Sequence, residues 1–435
     1  MSRSLLPAGL ILCAFLVGPA QAGTPPRVLF IRGGSGTGGF LEGGADEQLS
    51  DIHDTSTAPG NHGYAELAAL LAAQGFVVEQ VVEGPAPAGL PVDLLAIDLS
   101  QYDVVVFGSN NASYPAAAVD WVDAYVCSGG SALFISDANW GSDWGDAPSS
   151  DQSFLDRFDL VMNQDSGVYV VSRSAGDFVI AGVDQGGHPI LAGPDGVVGS
   201  ADDVNDFDGE GVSPATVTHL LPGVEPAVLA QAKQDIHLND SAGSGSFQLP
   251  GVDDGSLVAL EYGAGRVACV FDRNTFFNLN GAGTSLHHWD NAKLAKNLFV
   301  WLAAAPGPTY GTGCPGSGGF TPVLSLAGCA QPGNHVAVGL TNGLGGAAAW
   351  LLLGSGAASL PLPSGCTLLT SPLLPVAIGP VHLAGTGPGA GHLVASGTIP
   401  AGIAGVTIYL QGFVIDPGAP GGGYAASNGV VLTVP

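Results

Sequence analysis

The sequence predicts an α/β protein with a doubly wound, mostly parallel sheet, followed by an all-β sandwich. Three observations carry this. Short β-rich runs alternate with helical segments across 24–304, the pattern of a parallel sheet with helices on both faces. Residues 310–435 hold short apolar runs punctuated by Gly and Pro, with no long helical pattern. Charge is confined to the first region: of 10 Lys plus Arg and 37 Asp plus Glu, only Asp416 lies beyond Pro306. The Pro/Gly linker at 305–309 marks the expected boundary.

Residues 1–22 read as a secretory signal peptide. Arg3 is followed by the apolar stretch Leu5 to Val17 and the small-x-small site Ala20-Gln21-Ala22. About 13 apolar residues are too few for a bilayer anchor, so export and no membrane span are expected. Arg27 to Arg32 is the first strand. Ala65 to Gln74 is a helix with Asn61 as its N-cap and Gly75 as its stop. Phe76 to Val82 and Asp103 to Gly108 are strands, the second apolar enough to be buried on both faces. Pro115 opens a helix through Val126, ended by Gly129-Gly130. Ala132 to Ser136 and Arg266 to Phe271 are strands. Asp290 caps a closing helix to Ala303. The net charge of −27 excludes a nucleic-acid partner, which needs a basic patch, and disfavours anionic membranes.

These pieces resemble the class I glutamine amidotransferase-like superfamily, and within it the trehalose-utilisation-protein-like branch. The likeness rests on Val28-Leu29-Phe30-Ile31, His62-Gly63-Tyr64, Tyr102-Asp103-Val104-Val105-Val106 and His188-Pro189-Ile190-Leu191. Gly265-Arg266-Val267 and Asp290-Asn291-Ala292, with Asn297-Leu298 and Trp301-Leu302, complete it. It covers residues 26–303 and implies a flavodoxin-like sheet. An active amidotransferase sets Cys on a sharp strand-to-helix turn. Here the turn reads Ile135-Ser136-Asp137-Ala138-Asn139, without Cys, and no His-x-Glu follows the last strand. Glutamine hydrolysis is therefore not expected. A Ser136 or Asp137 site would need His287 or His288 as base; turn-capping by Ser136 and Asp137 is the simpler reading.

Ligands of doubly wound sheets bind beyond the carboxyl ends of the strands. That rule selects Ser109, Asn110, Asn111, Asp137, Asn139, Trp140, Asp272 and Arg273. Amides and acids with one Trp face suit a carbohydrate. Gly34-Ser35-Gly36-Thr37-Gly38-Gly39 matches the dinucleotide spacing, but about 20 loop-like residues separate it from a helix, so nucleotide binding is not expected. Asp195, Asp202, Asp203, Asp206, Asp208 and Glu210 form an acidic stretch with loop character, a candidate Ca²⁺ site without EF-hand spacing. The alternative is a solvated loop.

Five cysteines remain after the signal. Two of Cys314, Cys329 and Cys366 are expected to form a disulfide, and Cys127 or Cys269 to be buried or odd. The 310–435 segment is similar to a C-terminal β-domain on exported planctomycete-type bacterial proteins, through Gly311-Thr312-Gly313-Cys314, Gly328-Cys329 and Gly365-Cys366. Three functions are in view. The first is an exported protein binding a carbohydrate or other small ligand. The others are a secreted hydrolase of glycan or amide bonds, and a non-catalytic surface or adhesion protein.

Overall fold

The computed structural model describes residues 25–33, 50–84, 90–108, 112–135, 147–162, 168–210, 215–221, 224–232, 235–237 and 253–304. Beyond them it describes 309–434 apart from 328, 331, 363, 372–375, 404 and 421. The first 22 residues and most of the linker lie outside this set.

The first region is built on β1 (Arg27–Arg32), β2 (Val77–Val82), β3 (Val104–Gly108) and β4 (Ser131–Ile135). Further along the chain come β5 (Asp206–Glu210), β6 (Ala227–Ala230), β7 (Leu257–Tyr262) and β8 (Gly265–Val270). A seven-stranded sheet runs β6-β7-β8-β4-β3-β1-β2. The five strands from β8 to β2 are parallel, and β7 and β6 extend the edge antiparallel. Helices α1 (Ala65–Ala73) and α5 (Asn291–Ala303) cover one face; α2 (Ala116–Cys127) and α3 (Ala147–Leu155) cover the other. The one-turn helix α4 (Pro189–Ala192) lies against α5.

The two-residue period of a strand explains this double coating. Val28 and Phe30 of β1 enter the core under α1 and α5, while Leu29 and Ile31 enter the core under α2. β3 divides in the same way: Val104 and Val106 on one face, Val105 and Phe107 on the other. A strand buried on both faces must be apolar throughout, and this made β1, β3 and β4 readable.

Of the two cap expectations, one is corrected and one holds in position. Tyr64, not Asn61, occupies the α1 N-cap. The Glu66 N–H instead donates to Asn278 Oδ1 at 2.9 Å, so a distant side chain satisfies this helix end. Asp290 does occupy the α5 N-cap, but its carboxylate takes no backbone N–H of the first turn; it accepts from Asn205 N–H at 2.8 Å and pairs with Lys293 Nζ at 3.0 Å.

The second region is a two-sheet sandwich. Its strands are β9 (Val323–Ala327), β10 (His335–Gly345), β11 (Ala348–Gly354), β12 (Val376–His382), β13 (Gly387–Thr398), β14 (Thr407–Asp416) and β15 (Gly423–Thr433). One sheet runs β15-β14-β11-β12, with the short strand Thr309–Tyr310 on its β15 edge; the other runs β9-β10-β13. Leu324, Leu340, Leu351, Leu410, Val414 and Val430 fill the space between them.

Cys314 pairs with Cys366, and Cys127 pairs with Cys329. Cys127 is thus a crosslinked residue as well as a buried one. Cys269 lies outside both disulfides and is buried. No described helix is long and apolar enough to cross a membrane.

Candidate functional site

The residues that follow β3 and β4 lie outside the described set, and the ends of the other three parallel strands carry buried charge. β1 ends in Arg32, which is 7% exposed. Its Nη2 donates to Asp51 Oδ2 at 3.0 Å, and both side chains are almost fully enclosed. Asp51 Oδ1 also accepts from Gln80 Nε2 and from the His53 N–H. Arg32 Nε has no hydrogen-bond acceptor among the described residues. Burial lowers the Arg32 pKa, and the charges of Asp51 and Asp54 oppose that shift. β2 leads into buried Glu83, which accepts from the Ala112 N–H and the Tyr114 hydroxyl. β8 leads into Asp272 and Arg273, 0% and 1% exposed.

The His62-Gly63-Tyr64 element seals this layer. Tyr64 donates its hydroxyl to Arg273 O at 2.8 Å, while Asn278 Nδ2 donates to Asp54 O and Ser56 O. A Cβ on Gly63 would lie 2.5 Å from Asp54 O and 2.6 Å from Asn278 Nδ2, so only glycine allows this approach. His62 stacks edge-on against Phe277. Burial, reinforced by the Arg273 charge, holds its pKa down to about 4.

A second polar group adjoins β8. Asp272 Oδ2 accepts from Glu210 N–H at 2.6 Å, and Thr275 donates its hydroxyl to Asp208 O. These bonds dock β5 against the segment after β8. Asp208 is buried and accepts from Thr284 Oγ1 at 2.8 Å and Asn291 Nδ2 at 2.9 Å. Its other oxygen meets His288 Nδ1 at 2.5 Å. The His288 side chain is 54% exposed against 2% for Asp208. A fixed carboxylate thus orients a half-exposed imidazole, the arrangement of a general base and its positioning group.

No family model matches the chain, and no curated protein does. Among solved structures, the mmIFT52 N-terminal domain is 14% identical, covering 63% of this chain and 97% of its own, with a TM-score of 0.38. A putative ThuA-like protein from Parabacteroides merdae is 13% identical over 64% of this chain and 90% of its own, with a TM-score of 0.36. A cytoplasmic protein from Salmonella typhimurium is 17% identical over 63% and 98%, with a TM-score of 0.33. At such scores these likenesses carry no assignment.

The residues singled out in the sequence separate as follows. Ser109, Asn110, Asn111, Ser136, Asp137, Asn139 and Trp140 lie outside the described residues. Asp272 and Arg273 stand at the end of β8. His287 and His288 take different partners: His287 Nε2 meets Glu66 Oε2 at 2.8 Å, while His288 joins Asp208.

The six acids do not form one loop. Asp195, Asp202 and Asp203 belong to the turns after α4, where they accept from the Val197 N–H, the Ser200 hydroxyl and the Gly199 N–H. Asp206, Asp208 and Glu210 alternate along β5, and intervening Phe207 enters the core. Among the described residues no three His, Cys, Asp or Glu side chains group as metal ligands. Arg32, Asp51 and Glu83 were not among the site residues selected from the sequence, and His62 entered only through the His62-Gly63-Tyr64 motif. A charge closing an otherwise apolar strand run was the available signal for Arg32.

Proposed function

We propose that this chain is an exported protein whose α/β region binds a carbohydrate beyond the carboxyl ends of its parallel strands. The observation that carries this is the buried charge at the ends of β1, β2 and β8: Arg32, Glu83 and Asp272-Arg273. Burying charge is expensive and needs compensation. Arg32 Nε keeps a donor with no acceptor among the described residues, and a hydroxyl or carboxylate oxygen of a sugar would satisfy it. Neither glutamine hydrolysis nor an amidotransferase role is proposed, since the sequence after β4, Ser136-Asp137-Ala138-Asn139, lacks Cys. The sandwich would act as a surface-interaction module joined through the linker at 305–309.

The test is an oligosaccharide array followed by titration calorimetry on the purified chain. Binding is expected, and the paired variant R32Q/D51N, which removes both buried charges, should weaken it roughly 10- to 100-fold, the cost of a lost charge-assisted hydrogen bond. An array without hits overturns the proposal. The Asp208–His288 pair favours a second reading, hydrolysis of the bound glycan with His288 as base. New reducing ends should then appear with the native chain and vanish in His288→Asn. Bound sugar that stays intact with the native chain removes this reading and leaves the first standing.

A further inference from the structure

Every open sheet has edges, and an unguarded edge presents unpaired N–H and C=O groups to other chains. Among the described residues, the sandwich guards three of its four. On β9, Asn428 accepts from Leu324 N–H and donates to Leu324 O, both at 2.9 Å, so one side chain occupies the outer backbone groups. On β15, Thr309–Tyr310 pairs with Gly429 and Val430, and Cys314 bridges to Ala426. β12 carries Pro380 where its register with β11 shifts, which disfavours an incoming strand.

The fourth edge is β13. Its first half is covered, because His392 and Ala384 exchange both backbone hydrogen bonds, at 2.8 and 3.0 Å. These bonds show that the His392 N–H and C=O face away from β10. Alternation along an antiparallel strand then turns the backbone groups of Val394 and Ser396 the same way. Residues 394–398 are all exposed, and Val394 is 67% exposed. They carry no charge, no proline and no bulge against β10. The sheet to which they belong has only three strands, facing one of five.

We propose that this edge is an interface, and that Val394 to Ser396 pairs antiparallel with the same segment of a second copy. A two-fold axis would make the contact self-complementary and join two three-stranded sheets into one of six. Charge favours a second copy in particular. The chain carries −27 overall, yet beyond Pro306 its only charged side chain is Asp416, 2% exposed. Two copies can meet here without opposing surface charges, whereas meeting through the acidic region would set like charges together.

Sedimentation velocity on the purified full chain tests this. A concentration-dependent dimer is expected. Val394→Lys, which places a charge on the edge, and Ser396→Pro, which removes an outward N–H without breaking the ladder to β10, should each weaken dimerisation roughly tenfold or more. Val394→Thr, which retains strand preference, should dimerise like the native chain. Hydrogen exchange adds a readout without mutation: the amides of Val394 and Ser396 should be protected at high concentration and exchange on dilution. A native chain that stays monomeric, or amides unchanged by dilution, overturns the proposal. So does a dimer indifferent to both blocking substitutions in correctly folded protein.

Discussion

Replacing Cys127 and Cys329 together by alanine is expected to lower the unfolding free energy by roughly 5 kcal/mol, the chain-entropy value for so long a closed loop. The two residues are 202 apart in sequence. Without the bond, the unfolded chain regains the freedom that this closure removes. Both are buried, and Cys127 O accepts from the Ala264 N–H, so the crosslink ties the end of α2 to the segment after β9. The Cys314–Cys366 pair spans only 52 residues, and its removal should cost roughly 4 kcal/mol on the same scaling. Separation of the two regions is the sharper consequence. With Cys127–Cys329 intact, calorimetry should give coupled unfolding; without it, the α/β region and the sandwich should melt in two resolved transitions. An unchanged single transition in the alanine pair, with less than about 1 kcal/mol lost in urea, would contradict the expectation.

How much was legible depends on what each element is buried against. β1, β3 and β4 are apolar on both faces, and their sequences announced them within a residue. α2 was equally plain, since Pro115 fixes its start and the Gly129-Gly130 pair its end. β5 was missed because Asp206, Asp208 and Glu210 outnumber the single apolar Phe207, and five residues dominated by acids read as a loop. The strand forms because those acids have specific partners: His288 and Asn291 for Asp208, and Asp272 for the Glu210 N–H. These lie 62 to 83 residues away, beyond the reach of local pattern. The site divided along the same line. Asp272, Arg273 and His288 stood out as polar residues beside readable elements. Asp51 and His62 have meaning only through Arg32 and Arg273, and no spacing rule joins them. The crosslink at Cys127 was hidden for the same reason, because its helical setting already accounted for its burial.

Acid should destabilise the α/β region well before its carboxylates titrate. Burial, with the Arg273 charge, holds His62 down from 6.5 to about 4. Burial, with Arg266 and against Glu261, does the same to His188. Both imidazoles are therefore neutral in the native chain at a pH where they are protonated in the unfolded one. Between pH 6.5 and 4 the unfolded state binds more protons, so stability falls as pH falls. Above pH 6.5 the full contribution is present, and below 4 these groups cost nothing further. At about 1.4 kcal/mol per unit, reduced for partial solvent exposure, each histidine should account for on the order of 2 kcal/mol. The depressed carboxylates of Asp202, Asp290 and Asp416 act in a lower window, their contribution disappearing only as pH drops below about 4. Urea midpoints at pH 7 and 4.5 separate the two causes. His188→Asn keeps a side-chain acceptor for the Ile190 N–H, which His188 Nδ1 now holds at 3.2 Å, and removes the titration. With His62→Gln added, the stability profile should flatten between pH 6.5 and 4.5. A double variant as acid-sensitive as the native chain would assign the loss to other groups.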